Sequence, residues 1–159
     1  MTFDKTALRD ELVALLRREL DALESAHRAV MEAATHEEAK PENDKDTRAL
    51  EQSYLARGQA LRVEALRAAL AEVRAMPLGP RAPEGPVGVG ALVTLDGEEG
   101  ARVIFIAPHG GGNALANGRV QVVTPASPLG RAVIGRTVGD PCEALLAGRT
   151  RDYEIAAVD

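Results

Sequence analysis

Residues 120–140 read VQVVTPASPLGRAVIGRTVGD. The run opens as a strand, from Arg119 through Val123, because its β-branched residues suit a pleated, half-buried surface. Ser127 followed by Pro128 is a helix start. The serine hydroxyl can cap a free backbone N–H, and proline at the first helical position gives up only an N–H that would have had no helical partner. One or two helical turns over residues 129–134 follow.

Outward from this run the apolar period is two. Residues 89–95, 102–107 and 153–158 are further short β-branched runs set between glycine-rich turns, the pattern of a small antiparallel sheet. Residues 87–159 therefore read as an α+β domain. Ahead of them, residues 77–86, PLGPRAPEGP, hold four prolines, each of which removes a donor and restricts the residue before it. This segment reads as a linker.

Upstream the period becomes helical. Leu8, Leu12, Leu15, Leu16, Leu20, Leu23 and Val30 recur at steps of three and four between charged residues, which predicts an amphipathic helix over residues 6–35. At about 45 Å it is longer than a small core can cover, so it needs a partner helix. Residues 47–76 supply one, with Leu50, Tyr54, Leu61, Leu66, Leu70 and Val73 at helical spacing. The short intervening segment makes the pair an antiparallel coiled-coil hairpin over residues 1–76, with its tip at 36–46. Gly58 costs about 1 kcal/mol in a helix interior relative to alanine; it marks either a close helix contact or a bend.

Composition narrows the function. The 159 residues carry a net charge of -5 with acids and bases interspersed, so gripping nucleic acid by counterion release alone is disfavoured and a protein partner is the better expectation. Cys142 is the single cysteine, which rules out an internal disulfide and a cysteine-rich zinc site and fits a reducing compartment. It reads as a small buried core residue. No stretch approaches the roughly 20 apolar residues of a membrane span, and residues 1–12 lack the apolar core of a signal peptide. A cytoplasmic monomer is expected.

Residues 120–140, with their Ser-Pro-Leu-Gly turn, short helix and Gly-Asp turn, and Tyr153-Glu-Ile155 after them, resemble the C-terminal domain of the GreA/GreB transcript-cleavage factors. The helical half agrees: Glu42-Asn43, Ala49, Glu51-Gln52 and Gly58 fall at matching intervals, and residues 46–59 look like a divergent branch. The resemblance implies an FKBP-like C-terminal domain docked on RNA polymerase and a hairpin entering its secondary channel. It implies no intrinsic cofactor, a Mg²⁺ shared with the polymerase active site, and contact with nascent RNA through the channel. The cleavage chemistry would belong to the polymerase. Ala126, Ser127, Pro128 and Leu129 become the docking residues.

The tip holds five carboxylates among residues 37–46. Mg²⁺ takes hard oxygen ligands and commonly only one or two carboxylates, so an acidic loop can complete a site built by a partner without binding metal alone. Glu42 and Asp44 are the candidate catalytic carboxylates, with Glu38 and Asp46 behind them. Lys40, Lys45 and Arg48 are candidate RNA contacts, as is Arg57 nearby. Ala39 stands where cleavage-competent members carry the first tip aspartate, so a secondary-channel inhibitor of the same fold is an open alternative. Helix capping at Asp44 and Asp46 is the plain structural alternative. An EF-hand fails, because Thr47 and Ser53 occupy its glycine and glutamate positions.

The remaining candidates read as structural. His27, His36 and His109 share no ligand spacing and are expected on the surface. Gly110-Gly111-Gly112 lacks the lysine and helix start of a phosphate cradle and reads as a hairpin loop. A prolyl isomerase or chaperone is the reading from another class, but Phe105 and Tyr153 are the only aromatics available to line such a pocket, and fold alone does not confer that activity.

Overall fold

A computed structural model describes residues 2–38 and 45–159 of the chain. It contains two compact units: Ala14–Leu70, and the residues up to Val13 together with Ala71–Asp159. The units therefore divide at 13/14 and 70/71, so the ends of both long helices and the proline-rich segment 77–86 belong with the sheet.

Two helices run through the N-terminal half, α1 at Lys5–Glu38 and α2 at Lys45–Ala75. The Asp4 carboxylate accepts from Thr6 N at 2.9 Å and the Asp4 carbonyl from Leu8 N at 3.0 Å, so Asp4 caps α1. Pro77 follows the end of α2, where a proline cannot continue the hydrogen-bond ladder.

In the hairpin unit, α1 buries Leu16 and Leu20 and half-buries Leu23, His27, Val30 and Ala34. Along α2 Gln52, Ala56, Gln59, Val63, Leu66 and Leu70 are covered at alternating steps of four and three, with Ala69 buried beside Leu70; this is a coiled-coil seam. Arg67 Nη2 to Glu24 at 2.9 Å and His27 Nδ1 to Gln59 Oε1 at 3.3 Å fix the antiparallel register. His27 is thus half-buried in the seam and not a free surface histidine.

The apolar residues expected to face the partner helix divide in two. Leu66 and Leu70 do so, but Leu50, Tyr54 and Leu61 are 55%, 66% and 60% exposed. The helix carries two stripes half a turn apart, and the distal half of the packed one is written in glutamine and alanine. A Cβ on Gly58 would meet nothing within 4 Å, so close contact within the hairpin is not the reason for that glycine.

The second unit is a six-stranded sheet. Its strands are β1 Leu92–Gly97, β2 Gly100–Ile106, β3 Ala114–Leu115, β4 Val120–Val123, β5 Pro141–Leu146 and β6 Arg149–Val158, in the order β3-β4-β2-β1-β6-β5. Every pairing is antiparallel except β2 with β4, which is parallel, Ile104 lying beside Gln121. The sheet is antiparallel as expected but for this one pair: the chain spends residues 107–119 on a loop and on β3, so β4 returns in the direction of β2.

Both faces of the sheet are covered. Val93 and Leu95 of β1, Ile104 and Ile106 of β2 and Ile155 of β6 pack with Leu129 and Val133 of a short helix, α3 at Pro128–Val133. The alternate residues Leu92, Phe105 and Val122 lie side by side on the opposite face and are equally buried. The helix ends of the same unit bring further buried apolar side chains, Leu8, Leu12, Val73 and Met76. Leu12 sits against Gly110, where a Cβ would come within 2.7 Å of its Cδ1. The Glu11 carboxylate accepts from Ala116 N at 3.0 Å, and His109 Nε2 meets Glu72 at 2.9 Å.

The 77–86 segment is held by the same unit. Gly85 N donates to Ala82 O at 2.8 Å, and Arg81 donates to the carbonyls of Pro86 and Val89. Gly90, at φ +86, passes so close to Pro77 that a Cβ would lie 1.8 Å from its carbonyl oxygen.

Candidate functional site: a capped turn beside an open groove

The Ser-Pro-Leu-Gly turn is built as its residues dictate. Ser127 has φ -69 and ψ 160, its Oγ accepts from Gly130 N at 3.0 Å, and Pro128 opens α3. The same hydroxyl donates to Thr124 O at 2.7 Å, closing the turn from the other side. Gly130 lies against that carbonyl, where a Cβ would stand 1.9 Å from the oxygen. Ala126 and Pro128 are exposed and Ser127 half-buried. Leu129 is only 4% exposed and belongs to the core, so it anchors the turn and presents no surface to a partner.

Beside the turn lies a groove of about 300 Å³ lined by Arg102, Gln121, Ser127, Pro128, Leu129 and Leu146 among others. It shares Arg102, Gln121 and Leu146 with an open cleft of about 610 Å³ that reaches Glu99, Arg151 and Tyr153. Arg102 is the hub, donating to Gln121 Oε1 and, at 3.2 Å, to the Tyr153 hydroxyl. Arg151 pairs with Glu99 at 2.6 Å, and that carboxylate raises the arginine's pKa further.

Sequence reading did not find Arg102 or Gln121 as site residues. The signal is their phase: Arg102 alternates with Ile104 and Ile106, and Gln121 with Val123, so each is a polar residue on the core-facing side of its strand. In the turn just before β5, Asp140 accepts from Thr137 N at 2.8 Å and Thr137 Oγ1 at 3.2 Å. The backbone bond above all, with the Thr137 hydroxyl and nearby Arg136, lowers the Asp140 pKa against its partial desolvation. Cys142 is buried, as expected, and burial raises its thiol pKa.

The tip carboxylates Glu42 and Asp44, and Lys40 and Ala39 with them, lie outside the described residues, as do the side chains of Glu38, Lys45, Asp46 and His36. Arg48 is exposed in the first turns of α2. Among the described residues no group of three or more His, Cys, Asp or Glu is placed to hold a metal ion, and no helix is long and apolar enough to cross a membrane. Phe105 is fully buried on the sheet face away from the groove, and Tyr153 is 9% exposed. The groove therefore has no wall of aromatic rings.

A helical hairpin joined to a six-stranded sheet, with an exposed Ser-Pro turn beside an open polar groove, defines a two-unit protein with a surface suited to a partner. The chain is 32% identical to the transcription elongation factor GreA of Psychromonas ingrahamii, over 91% of each chain. To that of Methylococcus capsulatus it is 30% identical over 98% of each. It belongs to the GreA/GreB family. No family model matches it. A crystal structure of GreA factor homolog 1 (Gfh1) from Thermus thermophilus aligns over 96% of this chain and 95% of that one, with 23% identity and a TM-score of 0.41; the family assignment rests on the sequence relatives.

Proposed function

We propose that the protein is a transcription elongation factor of the bacterial cytoplasm that binds RNA polymerase, docks through the Ala126-Ser127-Pro128 turn and its groove, and delivers the tip carboxylates into the secondary channel. The kinship to GreA over nearly the whole chain carries this reading, because it spans both the turn and the tip. One chain acts per polymerase, and the polymerase performs the cleavage of backtracked RNA. Glu42 and Asp44 are hard oxygen donors of the kind Mg²⁺ accepts, so they fit a shared ion. When bound, the ion supplies charge stabilisation and an activated water. The chain's own part is to place negative oxygens at the end of two helices, with Lys40, Lys45 and Arg48 near enough in sequence to meet RNA phosphates.

A second reading is favoured by one residue. Ala39 removes the first expected tip carboxylate, and a factor that enters the channel without it would block the channel and stimulate no cleavage. The deciding experiment is a transcript-cleavage assay on stalled complexes with and without the protein. Shortened RNA supports the cleavage factor, reduced basal cleavage supports the inhibitor, and no effect with no binding to core polymerase overturns both.

A further inference from the structure

The outer face of α2 carries the stripe that the hairpin leaves uncovered. Leu50, Tyr54 and Leu61 are the exposed apolar residues on it. With Arg57, which is also exposed, they follow one another at steps of four, three and four, a second seam half a turn from the packed one. Three of its flanking positions are small, Gly58 opening onto free space with Ser53 and Ala60 alongside, and Glu51 is the charged one. A second helix has room to approach closely.

We propose that the occupant is α2 of a second copy of this chain, laid antiparallel about a twofold axis between Tyr54 and Arg57. In that register Leu50 meets Leu61 of the second copy, and Tyr54 meets its Arg57. A twofold axis repeats each contact. Both are favourable: a leucine pair buries apolar surface, and a guanidinium over a tyrosine ring is a cation–π contact. A parallel pairing in register would instead set Arg57 against its own copy with no countercharge, and like charges at a coiled-coil seam repel. Four side chains per copy bury less than the roughly 800 Å² per partner of a stable interface, so the dimer is a weak, transient one. The dimer hides the stripe, and the monomer remains the species free to meet another partner. The inference does not depend on the polymerase reading.

Sedimentation equilibrium of the full chain from about 1 to 500 μM tests it. A monomer–dimer equilibrium is expected, and Leu61→Glu should raise its dissociation constant at least tenfold while leaving the melting curve of the dilute protein unchanged. Register is read by cysteine cross-linking. A mixture of Leu50→Cys and Leu61→Cys chains should join through the two introduced thiols, whereas Leu50→Cys alone should not, its copies lying about 16 Å apart along the helix. Monomer at every concentration overturns the proposal, as does preferential Leu50→Cys self-linking. A protein that stays monomeric while Leu61→Glu weakens binding to core RNA polymerase would assign the stripe to the polymerase instead.

Discussion

Gly130 stands where no side chain fits, against a Thr124 carbonyl oxygen that already accepts from both Ser127 N and Ser127 Oγ. Gly130→Ala should therefore destabilise the chain by about 2 kcal/mol or more, since the clash is with backbone that must move. Ser127→Ala should cost about 1 kcal/mol as a lost cap, and Ser127→Asn much less; thermal unfolding of the full chain checks the order. Asp140, whose folded pKa is lowered, contributes stability that is present above the unfolded carboxylate value of about 3.9 and lost as pH falls through the lower folded one. An Asp140→Asn chain should lose that part of the acid dependence, read from melting temperatures between pH 6 and pH 2. At the tip, Glu42→Gln with Asp44→Asn keeps shape and capping capacity but removes charge. On the cleavage-factor reading this pair should abolish cleavage at low Mg²⁺ with partial recovery as Mg²⁺ rises, while polymerase binding persists; unchanged cleavage would remove both residues from the site. The Ser127 cap was readable from sequence because a cap is settled within four residues. The Arg102–Gln121–Tyr153 groove was not, because it forms only once β2, β4 and β6 lie in one sheet.

Helices and strands show the same division between local and distant causes. Leu20 is 1% exposed and Leu61 60% exposed, although both are leucines at helical spacing. Leu20→Ala should cost about 2–5 kcal/mol and Leu61→Ala no more than about 0.5 kcal/mol, measured by denaturant unfolding at low protein concentration. The sequence could not rank the two stripes of α2, since Leu50, Tyr54 and Leu61 are more apolar than the Gln52, Ala56 and Gln59 that pack. Two strands escaped for related reasons. β3 is two residues long, and β5, PCEALL, has little intrinsic β preference; its place comes from pairing with β6, Cys142 beside Tyr153. The polar opening of β6, Arg149-Thr-Arg-Asp152, likewise hid its first half. Both long helices, by contrast, were legible end to end because periodicity accumulates over many turns.

At the scale of the molecule, the sheet shares its compact unit with helix ends that a cut at the proline-rich segment would remove. A fragment of residues 87–159 would lose the contacts of Leu12 with Gly110, Glu11 with Ala116 and Glu72 with His109, and it should aggregate or stay unfolded, as judged by circular dichroism and light scattering. Joining residues 2–13 and 71–86 back to it should restore folding. The hairpin poses a different problem, because its seam grades from Gln52, Ala56 and Gln59 at the distal end to Val63, Leu66 and Leu70 farther along. Each turn's resistance to opening scales with the apolar surface it buries. Pulled apart at residues 35 and 48, the two helices would separate at low force through the first turns and then stiffen sharply on reaching Val63. The hairpin is a zipper with a soft end and a hard end, and its compliance lies where the acidic tip is carried.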